Sequence, residues 1–341
     1  MAKKILLIYP QSPILNREDR CQQPTKDLLV IPPLPPTDLL YLASIAEQAG
    51  LEAYVRDYSL GGDFEQDLND IQPDYLLANI ATPTLENDIN CFKIAKKILP
   101  KVINIAKGAV FLTYNSEIML KNKEINYIIS GEAEETLKEL LEGEKKPKDI
   151  LGLWYKEGFV AKFSGVRPFI ENLDTLPFPA RHLIDNSVYR RPDNNKVQAV
   201  IKVSRGCPHH CFFCLATPTS GRKVRMRSPE NIIAEIRECI NKYNIRNFIF
   251  WSDIFNQDRE WTVNLCEKII KSGLKFTWSA NTRADTADLK MAKLMHKAGC
   301  RLVSLGVESG SQFILDKIGK NITLDEIRDT VAAFKKANIK I

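Results

Sequence analysis

Short apolar runs alternate with amphipathic segments along the first half of the chain. The runs predict buried strands, and the segments with a period near 3.6 predict helices. The predicted strands are Lys4–Tyr9, Leu51–Val55, Asp74–Ile80, Val102–Ala106 and Tyr127–Ser130. The predicted helices are Leu39–Gln48, Asn87–Ile98 and Glu134–Leu141. Strands that alternate with helices predict an α/β fold with a doubly wound, Rossmann-like parallel sheet.

The second half of the chain repeats this alternation. Its predicted strands are Val197–Val203, Phe248–Trp251, Lys275–Ala280 and Arg301–Gly306. Its predicted helices are Glu230–Tyr243, Trp261–Lys271, Thr286–Lys297 and Thr323–Lys336. Such a repeat predicts parallel strands with the functional residues at their carboxyl ends.

The segment between the two halves has a different character. A charged stretch at 143–149 is followed by a predicted hairpin, Gly152–Val160, and by a proline-containing linker, Leu173–Pro179. We therefore expect a doubly wound domain at 1–145, a hairpin and linker at 146–195, and a barrel domain at 196–341 that breaks off early, so that the chain is a fragment of a longer protein.

Composition and charge add little to this picture. Hydrophobic residues make up 44% and charged residues 26%, which is ordinary for a globular protein. The net charge of +6 is spread along the chain without a basic block interleaved with aromatic residues, so we expect no nucleic-acid partner. No apolar run approaches the roughly 18 residues of a membrane span, and no secretory signal is evident. The sequence thus predicts a cytoplasmic protein.

The eight cysteines carry the strongest chemical signal. Cys207, Cys211 and Cys214 have the spacing C-x3-C-x2-C directly after a predicted strand. In a reducing compartment such a cluster indicates metal binding. We interpret the other five cysteines as small buried apolar residues: Cys21, Cys91, Cys239, Cys266 and Cys300.

Three thiolates on one loop can hold three irons of a [4Fe–4S] cluster and leave the fourth iron open to an external ligand. A zinc site, with His209 or His210 as a fourth ligand, is one alternative. An electron-transfer cluster with a fourth cysteine is another. We favour the open cluster, because we expect Phe212 and Phe213 to screen it from water.

Cys207, Cys211, Phe213 and Cys214 match the C-x3-C-x-aromatic-C signature position by position, and the chain resembles the radical S-adenosylmethionine (SAM) superfamily. The resemblance implies a partial (β/α)6 barrel. It also implies that SAM chelates the open iron through its amino and carboxylate groups, and that an electron from the cluster breaks a carbon–sulfur bond to give a 5′-deoxyadenosyl radical. The aromatic residue is expected near the adenine.

The same resemblance suggests further cofactor-binding residues. Asp253 is the candidate for the amino group of SAM, with a helix cap as its alternative role. Arg283 is a candidate for a carboxylate or an anionic substrate, with a surface salt bridge as its alternative. Ser304 and Glu308 lie in a stretch similar to the ribose-contacting strand end, and Glu308 is the preferred of the two.

The first half resembles the cobalamin-binding domain found in one branch of the superfamily. The matching stretches are 34–36, the strand ending at Asp57, 81–84, 130–137 and the linker at 173–181. The four histidines are His182, His209, His210 and His296, so no histidine of the first 181 residues can ligate cobalt. Lys107 stands where that branch usually has glycine, and we expect its side chain to crowd the corrin tail. The alternative is a degenerate domain that no longer binds cobalamin.

The resemblance implies cobalamin-dependent methyl transfer to an unreactive carbon of a small-molecule substrate, with flavodoxin or ferredoxin as reductant. A ring-cyclising radical SAM enzyme of tetrapyrrole or hopanoid type is the alternative. A non-catalytic iron–sulfur or zinc redox sensor is less favoured. So is a methylthiotransferase, because it would need three further cysteines in the first half, where the sequence has Cys21 and Cys91.

Overall fold

A computed structural model describes residues 2–12, 17, 33–191 and 193–341. Cys21 lies outside these residues. The chain divides into two compact units. The first unit is Met1–Ile170 with Leu176–Asp185, and the second unit is Glu171–Thr175 with Asn186–Ile341.

The first unit is built on a sheet of seven strands. The strands are β1 (Lys4–Tyr9), β2 (Glu52–Asp57), β3 (Tyr75–Asn79), β4 (Ile103–Lys107), β5 (Tyr127–Ile129), β6 (Leu153–Glu157) and β7 (Val160–Phe163). The helices are α1 (Thr37–Gln48), α2 (Phe64–Ile71), α3 (Leu85–Ile98), α4 (Asn115–Lys121) and α5 (Glu134–Glu142). The order is β2-β1-β3-β4-β5-β6-β7, and the first five strands pair in parallel. The doubly wound, Rossmann-like sheet is thus confirmed.

Both faces of this sheet are buried, which explains its continuous apolar strands. Along β1, Ile5 and Leu7 pack against the side of the sheet that carries α1 and α5. Leu6 and Ile8 pack on the opposite side, which carries α3. Alternate residues of a strand point to opposite faces, so one apolar run supplies two cores.

The predicted hairpin forms and extends the first sheet. Strand β6 pairs antiparallel with β5 and with β7, and Trp154 stacks on Phe163 with ring centres 5.0 Å apart. The sequence did not predict α2 or α4. Both are short and bury few apolar positions, Leu68 and Ile71 in the case of α2, so a helical period hardly shows.

The second unit contains a four-stranded parallel sheet. The strands of that sheet are β8 (Ala199–Lys202), β11 (Asn247–Trp251), β12 (Thr277–Arg283) and β13 (Cys300–Gly306). Two short strands, β9 (Ser204–Arg205) and β10 (Arg225–Met226), form a separate pair. The helices of the second unit are α6 (Ala216–Ser220), α7 (Pro229–Tyr243), α8 (Arg259–Ser272), α9 (Leu289–Lys297), α10 (Gln312–Lys317) and α11 (Leu324–Lys336). Strands β8, β11, β12 and β13 lie side by side in that order, and an isolated parallel bridge joins Leu302 and Lys340. This is the expected partial barrel.

Large aromatic side chains form the core between this sheet and its helices. Phe250 stacks on Trp278 with ring centres 4.7 Å apart, and both are fully buried. Cys239, Cys266 and Cys300 belong to the same core, as expected, and burial raises the pKa of Cys266 to about 12. Within the described residues, no helix combines the length and the apolar character needed to cross a membrane.

Candidate functional site

The cysteine loop follows β8 at the carboxyl edge of the barrel sheet. Strands β9 and β10 pair antiparallel and bring the two sides of the loop together. Gly206 has a φ of +100°, and a Cβ there would lie 2.1 Å from the carbonyl oxygen of Lys223. The amide of Cys207 then donates to the carbonyl of Gly221 at 3.0 Å. Only glycine allows this close backbone approach, which fixes where the first cysteine stands.

All three cysteines of the motif stand on this loop. Cys207 is buried and belongs to a small apolar cluster with Ala216 and Ile254, against which Cys214 packs. The amide of Cys214 donates to the carbonyl of Cys211 at 3.1 Å. Burial raises the pKa of Cys207, and the negative charges of Asp253 and of the other two cysteines act in the same direction. A metal that binds Cys207 must therefore displace its proton.

The histidines of the loop are engaged elsewhere. His209 Nε2 lies 3.0 Å from Gln257 Oε1, and His210 Nε2 lies 2.9 Å from Arg222 Nη1. Among the described residues, no three histidine, cysteine or carboxylate side chains converge on a point where one metal ion could sit. Thiolates that each hold a different iron of a cluster need not converge in this way.

Asp253 lies beside the cysteine loop. Its Oδ2 accepts a hydrogen bond of 2.7 Å from the amide of Gly206, the residue before the first cysteine. The helix-cap alternative is wrong, because Asp258 caps α8 by accepting from the amide of Trp261 at 2.9 Å. Asp253 thus ties the strand end of β11 to the start of the loop.

The aromatic pair of the loop does not screen the thiols. Phe212 is 84% exposed and Phe213 is 53% exposed. The expected screening of a bound cluster by these rings stays a prediction. The amide of Phe212 donates to the carbonyl of Ile318 at 3.1 Å, and this bond ties the loop to the turn that follows α10.

Lys320, which the sequence analysis missed, contacts three of the predicted cofactor-binding residues. Its Nζ lies 3.0 Å from Glu308 Oε1 and 6.0 Å from the centre of the Phe213 ring. Its carbonyl accepts a hydrogen bond of 2.8 Å from Arg283 Nη2. Lys320 is 6% exposed, so its charge is held among these partners. It lies 12 residues from Glu308, beyond any motif, and no sequence signal marks it.

Arg283 and Ser304 differ in their surroundings. Arg283 is 4% exposed and makes a two-pronged ion pair with Asp285, at 3.0 and 2.9 Å. The salt bridge considered as its alternative role is thus present, but it is buried and not at the surface. Ser304 is exposed and pairs in register with Asn281 of β12, while its neighbour Val303 points into the helix-covered core. Ser304 therefore faces the open side of the barrel sheet.

A second polar cluster lies at the carboxyl edge of the sheet in the first unit. Asp38, in the first turn of α1, accepts from Tyr9 Oη at 2.5 Å, from Asn79 Nδ2 at 2.5 Å and from Lys107 Nζ at 3.1 Å. Lys107 is buried, and its Nζ is held in this ion pair, whereas the expected crowding of a corrin tail by its side chain stays a prediction. The donors come from β1, β3 and β4, and β1 and β3 flank the point where the strand order reverses, the usual ligand site of such sheets.

Two further observations concern this edge. Asn79 is 1% exposed, and its Oδ1 has no hydrogen-bond partner in the described chain. His182 lies beside Glu47, near the end of α1, with 2.7 Å between Nε2 and Oε1. Since α1 begins at the carboxyl edge with Asp38, His182 lies at the far end of that helix.

Comparison with known proteins places these features in a family. The family model described as the radical SAM superfamily matches residues 201–341. An uncharacterized methyltransferase of Pyrococcus horikoshii is 30% identical over 331 residues, which cover 91% of this chain and 71% of that protein. The chain belongs to the radical SAM superfamily. The resemblance seen in the sequence is thereby confirmed.

Two other known proteins are similar to this chain over part of their length. The anaerobic magnesium-protoporphyrin IX monomethyl ester cyclase of Cereibacter sphaeroides is 26% identical, covering 89% of this chain and 52% of the cyclase. The structure of the radical SAM methyltransferase TsrM from Kitasatospora setae, with cobalamin and a [4Fe–4S] cluster bound, matches with a TM-score of 0.76 at 18% identity. That match covers 99% of this chain and 66% of TsrM. The chain thus spans about half to two thirds of these two relatives, and the match to TsrM shows a shared fold.

The hydrogen bond from Gly206 to Asp253 leads to a prediction about this radical SAM loop. In cluster-free protein under anaerobic conditions, Asp253→Ala should increase the alkylation rate of Cys207 about tenfold, since a hydrogen bond to a charged group contributes about 1.5–3 kcal/mol. Mass spectrometry of the peptide that contains Cys207 measures this rate. Asp258→Ala, which removes a cap of α8, serves as the matched control. Equal rates in the two variants would show that Asp253 does not hold the loop.

Proposed function

We propose that this chain is a radical SAM enzyme that transfers a methyl group to an unreactive carbon of a small molecule with the help of cobalamin. In this proposal Cys207, Cys211 and Cys214 hold a [4Fe–4S] cluster. The supporting observation is that three thiols stand on one backbone-anchored loop whose histidines are engaged elsewhere. A bound cluster of this type would supply the electron that cleaves SAM.

The residues around the loop have defined roles in this proposal. Phe213, half exposed beside the thiols, offers an apolar face to the adenine. Glu308 offers a carboxylate oxygen to the ribose hydroxyls, while Lys320 holds the other oxygen in place. Ser304 faces the same open side of the sheet. Asp253 already accepts from Gly206, so its role for the amino group of SAM is to present its carboxylate from a fixed position.

Arg283 has a different role from the one expected. Its guanidinium is occupied by Asp285 and by the carbonyl of Lys320. A buried arginine with these partners orients Lys320, and we assign it this positioning role. Removing one member of such a buried pair is costly, so Arg283→Ala should also disturb the fold locally.

The first unit supports a corrin ligand at its carboxyl edge. Among the described residues no donor reaches the buried Oδ1 of Asn79, and the side-chain amides of a corrin are donors. The Nζ of Lys107 is paired with Asp38 at this edge. Bound cobalamin would supply a carrier for the methyl group. The sequence has no histidine before His182, so we propose that cobalt is held without a histidine from this unit.

A ring-cyclising reaction is the second candidate, favoured by the similarity to the protoporphyrin cyclase. For both methyl transfer and ring cyclisation, we propose a small-molecule substrate. We further propose that a small reductant such as flavodoxin or ferredoxin supplies the electron in the cytoplasm, where thiols stay reduced.

Loss of one thiol should abolish the activity. Anaerobically reconstituted and reduced wild-type protein should convert SAM to 5′-deoxyadenosine, and Cys207→Ala should give none, because the cluster would lose one of three anchors. The product is measured by chromatography with mass spectrometry, alongside iron content. Cys239→Ala, a buried cysteine of α7, should retain both. A wild-type protein that binds iron yet leaves SAM intact would favour the redox-sensor alternative.

Lys320 provides a second test. In cluster-loaded protein, Lys320→Met should weaken SAM binding about tenfold, and Lys320→Arg should restore most of it, because the charge on Glu308 would again be paired. Equilibrium dialysis with labelled SAM measures the affinity. Lys317→Met, on the exposed face of α10, is the control. If Lys320→Met bound SAM as tightly as wild type, the proposed role of Lys320 would be wrong.

Cobalamin binding can be tested without any turnover. Anaerobic titration of the full chain with cobalamin should give close to one cobalt per chain. The absorption spectrum of the bound cobalamin should not show the bands of histidine-ligated cobalt. Asn79→Leu should weaken this binding, whereas Asn104→Leu should not, although Asn104 is an equally buried asparagine of the same sheet. Asn104 contacts the carbonyl of Glu124 at the opposite edge. Equal affinities in the two variants would contradict the assignment to the carboxyl edge.

A further inference from the structure

A cleft of about 900 Å³ lies at the amino edge of the barrel sheet in the second unit. Val197, Asn247, Thr277 and Gly299 line it, each at or next to the amino end of a strand. The cysteine loop follows the carboxyl end of β8, so this cleft lies at the other edge of the same sheet. Its volume is within the range of small-molecule sites.

The charged residues that line the cleft are all cations. They are Arg190, Lys196, Arg246, Lys275, Lys297 and Arg301. No aspartate or glutamate lines the cleft, and in the described part of the chain none of the six makes an ion pair with a carboxylate. Like charges that share one cleft repel one another, which costs stability unless an anion binds.

The arginines are held in place by backbone carbonyls. Arg190 donates to the carbonyls of Ser187 at 2.7 Å and Asn195 at 2.9 Å. Arg246 Nη1 donates to the carbonyl of Lys275 at 3.1 Å. Arg301 Nη1 donates to the carbonyl of His296 at 2.8 Å. These bonds leave other guanidinium donors of each arginine available, and an arginine that is already oriented loses less freedom when it binds.

Helix dipoles balance only part of this charge. The carboxyl ends of α7, α8 and α9 reach the cleft at Asn244, Gly273 and Ala298. Each helix end supplies about half a unit of negative charge, so three ends supply about one and a half units against six cations. A large positive excess remains.

The cleft also has an apolar part. Ile269, Leu274 and Phe276 line it beside the cations. Phe276 packs edge-on against Phe248, with 5.4 Å between ring centres, so its ring is fixed. A ligand that binds both the cations and the apolar side chains of the cleft carries several negative charges and an apolar or aromatic group.

We propose that this cleft binds a small polyanion with two or more phosphate groups and an apolar portion, such as a nucleoside polyphosphate. The site is separate from the cysteine loop and does not depend on the proposed methyl transfer. Guanidinium groups bind phosphate oxygens in pairs, and cations on several elements can engage successive phosphates.

Calorimetric titration of the full chain with tripolyphosphate and with ATP, in the absence of metal, tests this site. Both probes should bind saturably at low salt, and ATP should bind more tightly because of the apolar part. The double variant Arg246→Glu/Lys297→Glu should weaken binding of both about tenfold or more. Arg237→Glu/Lys335→Glu makes the same change in net charge on α7 and α11, outside the cleft, and should bind as wild type does.

Three results would overturn the proposal. Absence of saturable binding would exclude a phosphate site. An equal loss in both double variants would show attraction by net charge alone. Equal affinity for ATP and tripolyphosphate would show that the apolar side chains of the cleft do not contact the ligand, which contradicts the proposed ligand class. Circular dichroism of each variant confirms that it is folded, and SAM cleavage should stay unchanged in all of them.

Discussion

The close backbone approach at Gly206 is the constraint on which the candidate site depends. A side chain at this position would meet the carbonyl of Lys223, so the chain can pass from β9 into the cysteine loop only with glycine. The same residue donates its amide to Asp253. Gly206 thereby sets the position of Cys207 and links the cysteine loop to the end of β11 through Asp253.

Both units place their polar clusters where parallel strands end. In the second unit, the cysteine loop follows β8 and Asp253 follows β11. In the first unit, Asp38 gathers donors from the ends of β1, β3 and β4. Parallel strands direct their carboxyl ends to one edge, so short polar stretches far apart in sequence meet there. For this reason the order of strands and helices in the sequence already predicts that the cysteine loop lies at the carboxyl edge of its sheet.

The sequence predicted the strands well because burial on both faces leaves continuous apolar runs, as in Lys4–Tyr9. It predicted the cysteine loop because three thiols at fixed spacing are rare outside metal sites. It failed where a side chain chooses between local and distant partners. Lys107 pairs with Asp38, and Asp253 accepts a hydrogen bond from Gly206. Lys320 pairs with Glu308, although α10 separates the two residues in sequence. These choices depend on tertiary contacts that no local pattern encodes.

In the proposed cluster the three thiolates each hold one iron and leave the fourth iron open to SAM. Electron–nuclear double resonance of the reduced cluster, with SAM labelled with nitrogen-15 in its amino group, tests this claim most directly. Adding labelled SAM should shift the resonance of the cluster and produce a coupling to the labelled nitrogen. A cluster spectrum unchanged by SAM, or protein that takes up zinc alone, would contradict it.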